Sequence, residues 1–244
     1  AKAFGFELTN INKAIKASIK AKMCSNEDLS ENKAIILLSG GIDSATALYW
    51  ARNEGYNLIA ISFNYYLRPE REKKATVQLA AELGVRLVEV SIPYLKEGID
   101  LRIEGFPVPS ALHSPEGFIP MRNLVFYSIA AYYAEVYGYK FIIGGHISAD
   151  PELFPDADID FFQALEKLIN RGKREGINNI EILLPLIELS KIEVIKLAKK
   201  LNVPLEWTWS CYTDGDKPCG KCSSCLKRKK AFNIINHIEP ELPV

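Results

Sequence analysis

Neither sign of charge is in surplus in this chain: its 244 residues carry 30 Lys plus Arg against 30 Asp plus Glu. No strong global field would therefore steer it toward a polyanion, and a direct nucleic-acid partner is not expected. No apolar run approaches the ~18 residues that a membrane span requires, so no membrane partner is expected either. The first residues lack the charged-then-apolar layout of a secretory leader, and a cytoplasmic protein is the default expectation. Cysteine is scarce at five residues, and four of them fall between Cys211 and Cys225. That clustering argues against a disulfide framework and for a metal. The chain also shows no Ser-His-Asp or Cys-His constellation of the kind that supports a covalent nucleophile. What is present is a hydrophobic content of 48%, ample for a large core in one α/β domain or two small ones.

The stretch that organises the rest is Ser39-Gly40-Gly41-Ile42-Asp43-Ser44, which follows the apolar run Ala34–Leu38 and precedes a helical pattern from Ala45 to Arg52. Adjacent glycines permit positive φ and leave no Cβ to block an oxyanion. Successive amides can then point into one concavity, to which the next helix adds its positive end. Ser39 and Ser44 bring hydroxyl donors, and Asp43 is expected either to cap the helix or to reach a phosphate-bound magnesium ion. No Lys-Ser or Lys-Thr pair closes the loop as in a Walker motif, and no Gly-x-Gly-x-x-Gly is present. The string resembles the PP-loop of the N-type ATP pyrophosphatases, which cleave ATP between its α and β phosphates.

Strand patterns recur at 58–63, 86–91, 140–143 and 180–184, separated by helical patterns at 69–83, 124–138, 159–171 and from 190 onward. Strands spaced by helices of this length predict right-handed βαβ units and a parallel sheet of about five strands, Rossmann-like, with helices on both faces. Ligands of such sheets sit at the carboxyl ends of the strands. The loop after the first strand, Phe63 to Tyr66 after the second, and Gly144-Gly145 after the fourth would then share one crevice. His146 is read either as a hydrogen-bonding partner of a nucleotide or as a structural histidine. Residues 4–33 read as an amphipathic helical extension carrying an incidental Cys24, and 93–120 as a lid or binding loop. Ser190 and Glu193 form a capping box. Tyr132, Tyr133 and Tyr137 are assigned to core or subunit-interface packing, and the run Lys227 to Lys230 to a solvated helix face.

Cys211, Cys219, Cys222 and Cys225 are spaced Cys-x7-Cys-x2-Cys-x2-Cys. Four thiolates around one zinc ion make a closed structural site. An iron–sulfur cluster is the competing metal, and the compact ferredoxin run is not matched. With no position left for substrate, such a site works for folding.

Ser39 to Ser44, Pro120-Met121-Arg122-Asn123, Phe154-Pro155-Asp156, Pro185 to Lys191, and Trp209-Ser210-Cys211-Tyr212 with the cysteine run resemble, together and in this order, the 7-cyano-7-deazaguanine synthase family over about Ile35 to Phe232. The resemblance implies an adenine nucleotide alpha hydrolase-like fold in a single domain over 1–244, with the zinc-binding segment at 207–235, and a homodimer. It implies ATP, Mg2+ and Zn2+, with 7-carboxy-7-deazaguanine and ammonia as the substrates of a C–N ligase serving queuosine or archaeosine in tRNA. Carried over by motif, Ser39, Asp43, Ser44 and Arg122 would be catalytic. Leu38 to Ser44, Phe63 and Gly144 would bind ATP, and Arg122, Asn123, Asp156 and Lys191 the acid. Two positions depart from the family pattern: Tyr65-Tyr66-Leu67 stands for Tyr-Gly-Gln, and Phe154-Pro155-Asp156-Ala157 for Tyr-Pro-Asp-Cys. Both fall near the acid or the nitrogen donor, which leaves open a ligase of the same scaffold that uses another amine. Another tRNA-modifying PP-loop enzyme is a further alternative.

Overall fold

The computed structural model describes residues 32–95, 119–152 and 154–235. The N-terminal extension up to residue 31, Cys24 within it, and most of the long connection lie outside the described residues. Five parallel strands form one sheet: β1 (Lys33–Leu37), β2 (Asn57–Tyr65), β3 (Arg86–Ile92), β4 (Phe141–Ile143) and β5 (Glu181–Leu183). Their order is β3-β2-β1-β4-β5. The chain thus moves outward from β1 to β3, returns across the sheet, and builds β4 and β5 on the other side. The reversal falls between β1 and β4, where an open α/β sheet leaves a crevice at its carboxyl edge.

β1 is apolar on both faces because both faces are covered. Ala34 and Ile36 point into a core shared with helices α1 (Ile42–Asn53), α2 (Glu70–Glu82), α5 (Lys191–Lys200) and α6 (Ser223–Ile234). Ile35 points the other way, to Tyr127 and Ala130 on α3 (Arg122–Tyr137) and Phe162 and Leu165 on α4 (Ile159–Gly172). This is the expected doubly covered parallel sheet. Its helices are punctuated as their sequences require. The Ser190 hydroxyl accepts from Glu193 N–H while the Glu193 carboxylate accepts from Ser190 N–H, completing the capping box of α5. Gly84 and Gly138 stop α2 and α3 in the left-handed region, at φ +60° and +70°.

Several boundaries differ from the expectation. α1 begins at Ile42 rather than Ala45, so Asp43 lies inside its first turn and does not cap it; the N-cap is Gly41. α3 begins at Arg122, which places Arg122 and Asn123 in its first turn. β2 runs on to Tyr65 because Asn64 and Tyr65 pair with Ser91 and Ile92 of β3. Asn64 and Tyr65 are therefore strand residues rather than part of a loop after the strand, and Phe63 lies within the strand. Its ring is buried and stacks on Phe126 at 4.0 Å between centroids. Tyr132 and Tyr137 are exposed rather than part of the core. Among the described residues, no helix is long and apolar enough to cross a membrane.

Candidate active site

The turn after β1 is held from several sides. Gly40 adopts φ +92°, and a Cβ there would lie 2.5 Å from Glu72 O, so only glycine fits. Gly41, by contrast, has φ −78° and serves as an N-cap without a side chain. The first-turn amides of α1 have no intrahelical partner, and no side-chain cap takes them. Ser39 and Ser44 are wired to each other: their hydroxyls are 3.0 Å apart, Ser44 Oγ accepts from Ser39 N–H at 3.2 Å, and the Ser44 hydroxyl donates to Gly41 O at 3.1 Å. A concavity of open amides at a helix N-terminus accepts the phosphates of a nucleotide. Leu38, whose N–H donates to Ile61 O at 2.9 Å, seats the turn on the sheet.

Across the crevice, Lys191 at the start of α5 reaches Asp43, with Nζ 2.8 Å from both carboxylate oxygens. The two residues are 148 positions apart, and both are partly exposed. The Asp43 carboxylate is thus engaged by a cation of the chain itself. The glycine that meets the loop is Gly145, not Gly144. A Cβ on Gly145 would lie 2.8 Å from the backbone of Asp43 and Ser44, whereas one on Gly144 would collide with the Tyr127 hydroxyl. Tyr127 is fully buried, its hydroxyl has no partner among the described residues, and burial holds its pKa far above the ordinary phenol value. His146 packs against Phe162 and lies 3.8 Å from Asp150. Burial alone would raise the Asp150 pKa, but the nearby His146 imidazole, the hydrogen bond from Ile147 N–H and the charge of Lys191 bring it below the usual aspartate value.

Of the residues expected to bind the acid, Arg122, Asn123 and Asp156 gather at the start of α3, whereas Lys191 pairs with Asp43 instead. Asn123 N–H donates to Asp156 Oδ2 and the Asn123 amide donates to Asp156 O, both at 2.8 Å. Asn123 is buried, so it holds Asp156 and does not face the crevice as expected. Arg122 follows Met121, which sits in the left-handed region at φ +53°. Its guanidinium carbon is 5.5 Å from the centre of the Phe154 ring. Burial, joined by Glu72, raises the Tyr65 pKa well above that of a free phenol; Arg122 and Arg68 pull the other way and do not prevail. Tyr65 therefore stays a neutral donor beside two cations.

The four cysteines converge as their spacing predicts. Their sulfurs all lie within 4.8 Å of one another, with Cys219 and Cys225 4.0 Å apart. Ligands at about 2.3 Å around a tetrahedral zinc would be about 3.8 Å apart, so the donor set fits one ion after a small contraction. Backbone N–H groups of Cys219, Cys222 and Cys225 donate to the sulfurs of Cys211, Cys219 and Cys222. The amides of Lys221 and Cys222 bring the Cys219 pKa down to about 6, favouring its thiolate, while burial pushes Cys225 up. The four sulfurs could hold one metal ion, whose charge would offset that of the thiolates.

A model of the family described as "Queuosine biosynthesis protein QueC" matches residues 33–236. The chain belongs to the QueC family. Among curated relatives, the chain is 40% identical over 223 residues to a protein of Nautilia profundicola named 7-cyano-7-deazaguanine synthase, covering 86% of this chain and 97% of that one. It is 40% identical over 219 residues to a protein of the same name from Thermoplasma acidophilum, covering 87% and 92%. Among solved structures, NMN synthetase from Francisella tularensis superposes with a TM-score of 0.53 at 18% identity, covering 96% of this chain and 88% of that chain, a likeness of fold. The resemblance read from the ordered motifs is thereby borne out.

Two arginines of this QueC chain escaped sequence reasoning. Arg228, in the run assigned to a wet helix face, is buried and donates to Thr208 O, Thr208 Oγ1 and Leu205 O. Only its neighbours Lys227, Lys229 and Lys230 are exposed. Arg68 lies buried under the phosphate loop, 2.8 Å from Ser39 O. Trp209, read only as part of the family motif, makes a further contact that was missed: its backbone N–H donates to Gly40 O at 2.9 Å and ties the cysteine segment to the loop. The one local signal was a lone arginine among strand-end aromatics, Tyr65-Tyr66-Leu67-Arg68.

Proposed function

We propose that this chain is an ATP-dependent C–N ligase that converts 7-carboxy-7-deazaguanine and ammonia to 7-cyano-7-deazaguanine, on the way to queuosine or archaeosine in tRNA. The observation that carries the reading is the Ser39–Ser44 turn, whose carbonyls are gripped from behind while the amides of α1 stand open at the switch point of the sheet. A carboxylate is a poor electrophile. Its oxygen therefore attacks the α phosphorus of ATP, forming an acyl adenylate and releasing pyrophosphate. The loop amides and the Ser39 and Ser44 hydroxyls stabilise the charge that builds on the leaving pyrophosphate. Ammonia adds to the activated carbonyl, AMP leaves with the carboxylate oxygen, and an amide remains. The amide oxygen then attacks the α phosphorus of a second ATP, releasing a second pyrophosphate, and loss of AMP and of the two nitrogen protons gives the nitrile.

In this reading Leu38 to Ser44 hold the nucleotide, Gly145 lets β4 approach the loop, and Lys191 offsets phosphate charge beside Asp43. Magnesium, held by Asp43 and the phosphates, would supply further charge neutralisation. Arg122 presents a planar fork to the acid's carboxylate, and Asp156, held by Asn123, accepts from the N–H groups of the deazaguanine. Phe63 supports this side through Phe126 and makes no contact of its own. Zinc rather than an iron–sulfur cluster suits the cysteines, because a cluster of several irons would hold its thiolates further apart. A single PP-loop domain carries both sites and acts in the cytoplasm as a homodimer, for which exposed Tyr132, Val136 and Tyr137 on α3 offer an apolar face.

Incubation with ATP, magnesium, the carboxylic acid and ammonium should yield the nitrile mass. Formation of AMP and pyrophosphate without the nitrile would favour the alternative, coupling to another amine, to which the bulk of Tyr66 and Leu67 lends support. No AMP with any acid would refute the ligase reading.

A further inference from the structure

We infer that Arg68 is the positioning residue of the phosphate loop, its guanidinium fixing the Ser39–Gly40 peptide so that the Gly40 amide faces bound phosphate. This rests on the reading of that loop as the ATP site. All five N–H donors of a guanidinium are spent here. Nε donates to Glu72 Oε1 at 3.0 Å, Nη1 to Ser62 Oγ at 2.7 Å and Phe63 O at 2.8 Å, and Nη2 to Ser39 O at 2.8 Å and Thr76 Oγ1 at 2.9 Å. One planar group thus joins the loop, the end of β2 and the first turns of α2.

Geometry makes this more than a structural tie. The peptide bond is planar and trans, so its carbonyl and the N–H that follows point in opposite directions. Gripping Ser39 O from beneath turns Gly40 N–H to the upper side, and that amide finds no acceptor among the described residues. The backbone N–H of Trp209 holds the next peptide through Gly40 O, and the Gly41 N–H of that peptide donates to Ser39 Oγ at 3.3 Å. The loop also rests on the residues that grip Arg68, since a Cβ on Gly40 would lie 2.5 Å from Glu72 O and 2.9 Å from Thr76 Oγ1. Leu67, in the left-handed region at φ +54° and exposed, is the bend that sends Arg68 inward. A buried charge is weak evidence for stability, because well-packed apolar groups do that task as well or better. A strained bend that delivers one beneath an anion cradle is evidence for positioning.

Arg68→Lys keeps the charge but offers three donors and no plane. Binding of α,β-methylene ATP with magnesium, measured by calorimetry well below the melting temperature, should weaken at least tenfold, while KM for the acid stays within about twofold. Unchanged binding of the analogue, whatever the loss in melting temperature, overturns the inference. If Arg68→Lys does not fold, Ser62→Ala removes one anchor of Nη1 and should weaken the analogue at least threefold; unchanged binding overturns the inference there too. Failure of the unaltered protein to bind the analogue would instead sink the reading of the loop itself, and the role of Arg68 with it.

Discussion

The N-termini of α1 and α6 begin from comparable tight turns and use the same unsatisfied backbone amides in opposite ways. At α1 the N-cap is Gly41, which has no side chain to take them. At α6 the N-cap is Cys222, whose sulfur accepts from Cys225 N–H while its own N–H goes to Cys219. One end is left open, without a side-chain cap; the other is closed around sulfurs that could hold a metal ion. The two are joined, because Trp209 of the cysteine segment donates to Gly40 and Asp214 accepts from the first amides of α2, at Glu70 and Arg71. A closed end that is stable without substrate can thus hold an open end in shape for it.

If the two ends differ in this way, damage to each should have a different signature. The largest effect belongs to the closed end. Structural zinc contributes on the order of 10 kcal/mol in small domains, so Cys222→Ser should abolish stoichiometric metal, read by elemental analysis. It should also lower the melting temperature by more than about 10 °C. Retention of both metal and stability would remove the contrast. At the open end, Asp43→Ala should cut AMP formation by about 10²–10³-fold with little change in melting temperature, since the pair with Lys191 is partly exposed. A large loss of stability there would make the loop a second structural centre.

Arg228 tests the link behind the closed end. Arg228→Met removes the donors to the carbonyls of Thr208 and Leu205; Leu205 O keeps the Thr208 N–H and hydroxyl, so the loss falls mainly on Thr208 O and should cost about 1–3 kcal/mol in a denaturant titration. A neutral result would mean that those carbonyls find other donors. The smallest effect concerns Asp150 beside the open end. Its folded pKa lies below the ordinary 3.8, so its contribution to stability is complete above that value and is lost as pH falls through the folded value. Asp150→Asn should therefore flatten the loss of stability below about pH 4 and leave the neutral range nearly unchanged. An identical acid limb in both proteins would contradict this.

The parts legible in the sequence are those written in adjacent residues. The Ser39–Ser44 turn, the Ser190–Glu193 box, the glycine stops and the cysteine spacing each declare themselves within a few positions, because capping, left-handed turns and ligation by closely spaced thiols are local chemistry. The parallel sheet followed from the spacing of strand and helix patterns, but its order, β3-β2-β1-β4-β5, did not. What stayed hidden is made by distant partners. Asp43 and Lys191 meet across 148 positions. Arg228 looks like its lysine neighbours until Thr208 is brought beneath it. Gly144 and Gly145 are indistinguishable in sequence, and only the placement of Tyr127 and α1 separates a packing glycine from the one that meets the loop. Asn123 reads as a polar residue near a substrate, yet its amide is taken by Asp156.

The most direct test of the adenylation chemistry is the fate of a carboxylate oxygen. With 7-carboxy-7-deazaguanine labelled with ¹⁸O in its carboxylate, and with ATP, magnesium and ammonium supplied, the account predicts ¹⁸O in the phosphate of the released AMP. Unlabelled AMP, or ADP and inorganic phosphate as the only nucleotide products, would contradict it.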